Sequence, residues 1–492
     1  VSSTIITDNV ANNSPIMVLN TGSTTTVHVT WTGIKMQGSS SLADGNAKYS
    51  GMMQVNGFSK NFRMHNNYFT QQTYGSSTSN GNAALVRYGD CVWGVTDHNS
   101  FFEHGTGNAI QVLEGSCYGD SGGQGDKSWS TAADFGTAEG MYVEDNTFSG
   151  DFWNSFINDC WQGGREIIRK NNSTTSATQG HATGSGDGSG RSCRMLEIYD
   201  NTFTGIFDSS SGNSSYTVTF IPGGTAMLFG NTATASGTAG WKLFASLVND
   251  HFNGATNYDL CNSSTLGFMY NGTTAINSSF LPDVRRSDYA GVPSPWDGNT
   301  NTEGYPVLDQ VGRGAGDLLF GSYIVGCSTT GNRCSFQDSS GTSPCNIHWP
   351  HQAVEPVYMV NNAWSVPSGS GGTFVGVTDA TTNMIQENRE YYKDVDGTGT
   401  VGTFTGNPST GTGTGSGARS ARPTTCTTGV AYWATTGSGT TWNNGATDSG
   451  CLDVCTATNT WTSCKYTPYT YPHPLVTGST VTPVSNLLIA VK

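Results

Sequence analysis

Leu196-Glu-Ile-Tyr-Asp-Asn201-Thr-Phe203 decides the fold, because its pattern recurs as Met141-Tyr-Val-Glu-Asp-Asn146-Thr-Phe148 and Phe62-Arg-Met-His-Asn-Asn67-Tyr-Phe69. Each copy alternates in period two, breaks at the Asn and restarts on an aromatic two residues later, which reads as strand, polar turn, strand. Met141 and Val143, Leu196 and Ile198, and Phe62 and Met64 then share an inward face, and their neighbours point outward. Weaker copies are Asp97-His-Asn99-Ser-Phe101, Glu166-Ile-Ile-Arg-Lys-Asn171, Asn249-Asp-His-Phe252 and Tyr358-Met-Val-Asn361-Asn-Ala-Trp364. The step from Asn146 to Asn171 is 25 residues and that from Asn171 to Asn201 is 30, the length of one unit in a stacked repeat. Asn67, Asn99, Asn146, Asn171, Asn201 and Asn361 are expected to stack as an amide ladder, with the following aromatics stacked inside. That is the logic of a parallel β-helix, an all-β solenoid.

Composition agrees and narrows the partners. Gly accounts for 65 of 492 residues, and charged residues for only 12% against about 25% in ordinary domains. A net charge of −14 argues against a nucleic-acid partner and against an anionic bilayer. No run of 18 apolar residues exists to insert into a membrane. Aromatic residues, 11% of the chain and spread along it, supply enough core to exclude disorder. Twelve Cys without metal-ligand spacing fit an oxidising space, so the chain reads as secreted, extracellular or at a cell surface. It opens at Val1 with neither Met nor signal peptide, as a processed form would. Local bridges are expected for Cys160 with Cys193, for Cys327 with Cys334 or Cys345, and within the group Cys426, Cys451, Cys455 and Cys464.

The repeat strings make the chain resemble the right-handed parallel β-helix proteins of secreted bacterial origin, the broad pectate-lyase-like superfamily. The resemblance covers residues 1 to 395. Ala431-Tyr-Trp-Ala-Thr and Tyr466-Thr-Pro-Tyr-Thr-Tyr-Pro-His-Pro-Leu475 look like the C-terminal region of uncharacterised members of that group. It implies a fold and an export route and no particular reaction. Composition sets the remaining boundaries. A Gly/Thr/Ser-rich flexible connection is expected over 396–420, a small Cys/Trp-rich β module over 421–475, and a linker with an apolar terminal strand, Val484 to Val491, over 476–492.

Two uses of the outward face follow. Arg63, His65, Glu144, Arg169, Glu197 and Tyr199 project from successive strands about 4.8 Å apart, where Glu144, Arg169 and Glu197 would form one charged strip. Such a strip suits an acidic polysaccharide, with cations neutralising its carboxylate; opposite charges on neighbouring strands equally stabilise a sheet face. Nearby lies the densest polar cluster: Asp159, Arg165, Glu166, Arg169, Lys170, His181, Asp187, Arg191 and Arg194. The resemblance implies Lys or Arg as base and acid with a bound Ca²⁺, which selects Lys170, Arg191 and His181 as catalytic candidates and Arg165 as a binding one. The family's catalytic strings are absent, Asp394-Val-Asp396-Gly is only a fragment of a calcium loop, and His348, His351 and Glu355 flank Trp349-Pro350 in what reads as a rigid aromatic loop. The preferred reading is therefore a structural protomer that self-associates through its open end and C-terminal strand. The alternative is a carbohydrate-active enzyme or binder.

Overall fold

The computed structural model describes residues 4–8, 15–38, 52–70, 84–113, 115–118, 126–129, 131–174, 178–179, 192–205, 217–235, 243–248, 311–316, 324–328, 333–336, 352–365, 372–378, 385–394 and 411–478. The chain is all-β with very little helix. Among the described residues the two largest sheets have twelve and nine strands, and every pairing along both is parallel.

Recurrently, a strand of the nine-stranded sheet passes across a short corner directly into a strand of the twelve-stranded one. Asn61–His65 lies in the nine-stranded sheet and Tyr68–Thr70 in the twelve-stranded one. Gly94–Asp97 and Ser100–Leu113, Met141–Glu144 and Thr147–Trp161, Arg165–Arg169 and Asn172–Ser173, and Met195–Tyr199 and Thr202–Gly205 repeat the move. Each of these corners has two residues, whereas Gly33 alone separates His28–Thr32 from Ile34–Gly38. The first takes left-handed backbone: Asn66, His98, Asp145, Lys170, Asp200, Gly230 and Asn361 all have φ between 54° and 66°. The second is an Asn whose amide ties one repeat to the next.

In this ladder the backbone N–H and Nδ2 of each Asn both donate to Oδ1 of the next. The series runs Asn67, Asn99, Asn146, Asn171, Asn201, Asn231, Asn362, with distances of 2.9–3.1 Å. The amide donates as well to backbone carbonyls, as Asn171 does to Val143 and Arg169, so a buried polar side chain is fully used. Two positions differ from expectation. Asn361 is not a ladder member: it occupies the left-handed position at φ 58° and its N–H donates to Asp394, while Asn362 takes the ladder site. Asn suits either position, so an Asn-Asn pair leaves the phase open in sequence. Asn231 is an unanticipated member, within Leu228-Phe-Gly-Asn231-Thr, where Gly supplies the left-handed corner.

Phe69, Phe101 and Phe148 are buried and stacked, with centroids 5.2 and 5.0 Å apart, and Phe203 is buried too. They share one apolar cluster with Phe62, Met64, Met141, Val143, Leu196 and Ile198, the residues expected inside. Gly94 lies at a tight approach: a Cβ there would stand 2.0 Å from the carbonyl oxygen of Phe62.

A four-stranded sheet follows: Thr414–Ala418, Ala431–Thr436, Cys451–Ala457 and Thr460–Tyr466, the first pair parallel and the rest antiparallel. The first of these strands lies inside the stretch expected as a flexible connection. Its Gly residues let it run close beneath neighbours; a Cβ on Gly417 would come 2.6 Å from the Tyr432 hydroxyl. Disulfides join Cys426 to Cys455 and Cys451 to Cys464 here, and Cys160 to Cys193 and Cys91 to Cys117 earlier. The pairing of Cys327, Cys334 and Cys345 falls outside the described side chains, and the terminal strand Val484 to Val491 outside the described residues.

Candidate functional site

The outer face of the nine-stranded sheet carries the expected charged groups in two columns. Asp97, Glu144, Arg169 and Tyr199 are register partners in one; Tyr142, Ile167 and Glu197 are partners in the next. Glu144 and Arg169 therefore touch, and Glu197 stands apart from them along the strand. The face is covered. Glu144, Arg169, Glu197 and Tyr199 are all 0% exposed.

The cover is the chain's own C-terminal region. At one end Trp433 stacks on Phe229 with centroids 4.3 Å apart, and Trp442 sets its edge against Tyr199 at 5.7 Å. From there the segment Tyr466 to Val476 crosses the strands as a strap. Arg169 is its main anchor: Nε donates to Glu144 Oε2 at 2.7 Å, Nη1 to the Tyr199 hydroxyl and to the Tyr469 carbonyl at 2.8 Å each, and Nη2 to the Thr470 carbonyl at 2.9 Å. Glu144 Oε1 accepts from the His473 N–H at 2.9 Å. Tyr471 donates to Asp145, and Arg63, paired with Asp97 at 2.7 Å, reaches the carbonyls of Leu475 and Val476.

Burial dominates the electrostatics. It raises the Glu144 carboxyl, offset in part by Arg169 and the His473 N–H. Burial alone lowers the Arg169 guanidinium, but Tyr199, Glu144 and Tyr142 outweigh it and hold the group above its ordinary range. Glu197 is pushed up to about 7 by burial, against the Gly136 N–H at 2.7 Å and the charge of Arg169; among the described residues its Oε2 has no hydrogen-bond partner. His473 is pushed down to about 3 by burial and by Arg169 and Arg63. Its Nδ1 accepts from the Leu475 N–H, as a neutral imidazole does.

The other candidates do not converge on this strip. Lys170 is a left-handed corner residue, 3.0 Å from Asp200 Oδ2 and stacked over Tyr471 at 4.6 Å. His65 is partly exposed beside Asn66 and Thr32, and is lowered by burial and by Arg63. Arg165 is buried against Ser128, Thr131, Ala133 and Asp134. Glu166 shares a register column with the core residues Met141 and Leu196 and accepts from Asn158 at 2.7 Å. Asp159 accepts from Gln111 and Asn108, away from that face. Arg194 pairs with Glu355 at 2.7 Å and meets Arg165 at Thr131, to which both donate. The sequence cluster thus disperses, because alternate residues of a strand face opposite ways. His181, Asp187, Arg191, His348, His351 and Asp396 lie outside the described residues.

Among the described residues one trio brings metal-type donors together, Cys451, Asp453 and Cys464. Its sulfurs are joined in a disulfide and Asp453 is held by Arg419 and Arg422, so the donor set does not suit an ion. Tyr471 and His473 were invisible as partners of the charged strip, since some 300 residues separate them from Arg169 and Glu144; only their aromatic and Pro-rich string marked them. No protein-family model, no curated protein and no solved structure matches the chain.

Proposed function

We propose that this chain is a secreted, extracellular structural protein built on a right-handed parallel β-helix, a protomer that self-associates through its first repeat and its C-terminal segment. The alternation of strands between two parallel sheets, with an Asn ladder at the shared corner, supports the helical coil. Four disulfides among the described residues support an oxidising compartment, and no helix among those residues is long and apolar enough to cross a membrane.

One observation carries the choice of a structural role: Arg169, the cation best placed to meet an acidic sugar, spends its donors on Glu144, Tyr199 and two carbonyls of the strap. An acidic polysaccharide would have to displace the strap to reach it. The charged strip is then an anchor for the C-terminal region, and the lyase-like alternative loses its face.

Negative-stain imaging of the full chain, with an assay for unsaturated sugars released from pectin, alginate and glycosaminoglycans, tests the proposal. Filaments or sheets without sugar release are expected. Compact monomers that release unsaturated sugars, with release abolished in a folded Lys170→Ala variant, would overturn it.

A further inference from the structure

The charged strip and its strap belong to the nine-stranded sheet. On the twelve-stranded sheet the residue after each ladder Asn also points outward, and there outward means solvent. Thr147, Asn172, Thr202 and Thr232 are register partners in one column, all exposed. Two residues further along the strands, Thr204, Thr234 and Ser365 are register partners in a second column, joined by Thr174 just past the end of Asn172–Ser173, and these too are exposed. Phe148, Ser173, Phe203 and Ala233, between the columns, are buried. Over these strands neither column holds an ionisable side chain. Protein surfaces ordinarily mix charges of both signs; β-propensity favours Thr on a strand but does not keep charge out of two whole columns.

We propose that this face binds ice. The Asn ladder sets its spacing, because each member of the first column directly follows a ladder residue, and Asn146, Asn171, Asn201 and Asn231 are linked by bonds of 2.9–3.1 Å. A side-chain ladder also holds a sheet flat against its twist. Groups on such a face repeat every ~4.8 Å across the strands and about 6.6 Å along them. In ice, tetrahedral hydrogen bonds of about 2.75 Å put second neighbours about 4.5 Å apart and equivalent layers about 7.3 Å apart. Over the three steps of the first column the mismatch accumulates to only about 1 Å, and over the single step between columns to about 0.7 Å. Thr suits the contact, since its branched Cβ fixes χ1 and presents a hydroxyl with a methyl. The hydroxyls also repeat in direction: Thr204 Oγ1 donates to the Ser173 carbonyl and Thr174 Oγ1 to the Phe148 carbonyl, each at 3.4 Å, the same relation one strand apart. Charge complementarity points the same way. A lattice of neutral water has nothing to offer an ionised group, which would lose hydration on meeting it. An array already held in place gives up little side-chain freedom on contact.

This face is separate from the strip and its strap, so the inference fails or survives independently of the structural role proposed above. Uptake of the fluorescently labelled full chain into slowly grown polycrystalline ice tests it, against a labelled protein that ice excludes. Enrichment of the native chain in the ice is expected. Uptake should fall at least about tenfold in Thr204→Tyr, the equivalent of about 1.4 kcal/mol, because the ring holds the lattice off its neighbours. Thr458→Tyr, at an exposed turn of the four-stranded sheet, should leave uptake unchanged, and Asn172→Thr, which makes the first column uniform, should raise it. Circular dichroism and urea midpoints should match the native chain in all three variants, since each site is exposed. Exclusion of the native chain from ice would overturn the proposal, and so would equal uptake of the native and Thr204→Tyr chains. Binding to crystalline cellulose or chitin by a chain that ice excludes, lost in Thr204→Tyr, would overturn it too and give the face to a sugar lattice.

Discussion

Removing the guanidinium of Arg169 should show how the C-terminal region is held. In Arg169→Met, Glu144 loses its ion pair at 2.6 Å yet stays beneath the strap, hydrogen-bonded to the His473 N–H alone. An uncompensated charge with no exposure is destabilising by about 3–5 kcal/mol. Part of that loss comes from the stranded carboxylate, so Glu144→Gln added to Arg169→Met should restore some of it. The double variant is expected to lose less than the sum of the two single losses by at least about 1.5 kcal/mol, the coupling of groups in contact. Urea midpoints read by circular dichroism at constant slope supply the four corners of the cycle. Trypsin cleavage after the exposed Lys465, at the foot of the strap, should rise most in the single Arg169→Met variant. Losses that add within about 0.5 kcal/mol, or cleavage unchanged in all variants, would refute the assignment of Arg169 and Glu144 as the clamp.

Asn171→Ala removes the acceptor for Asn146 N–H and Nδ2 and a donor to Val143 O, so it should destabilise by about 3–5 kcal/mol; the exposed neighbour Asn172→Ala should stay within about 0.5 kcal/mol, both read from urea midpoints. Glu197 binds its proton more tightly folded than unfolded, so its share of stability is present below pH 4.5 and is lost as pH rises through about 7. Glu197→Gln should therefore gain about 2–3 kcal/mol on the native chain between pH 5 and pH 8; a gap that does not change with pH in parallel unfolding titrations would contradict this. Phe148→Ala, within the stack of Phe69 and Phe101, should destabilise by about 3–5 kcal/mol in the same assay.

Local sequence determined the repeat. Period-two alternation settles which face of a strand is apolar, and an Asn at a fixed offset from an aromatic marks the corner, so Asn67, Asn146, Asn171 and Asn201 and the interior Met141, Val143, Leu196 and Ile198 were legible from a dozen residues around each. Asn361 was misphased because Asn satisfies both corner positions, and only the hydrogen-bond register with Asn231 separates them. Sequence also showed that Arg63, Glu144, Arg169, Glu197 and Tyr199 project outward. Whether outward meant solvent was beyond it. A strand's two faces are local properties, but what packs on the outer one is decided by a segment some 300 residues later, whose carbonyls carry no signature in the chain. Tertiary structure alone turned a charged strip open to a ligand into the buried seat of the protein's own C-terminal strap.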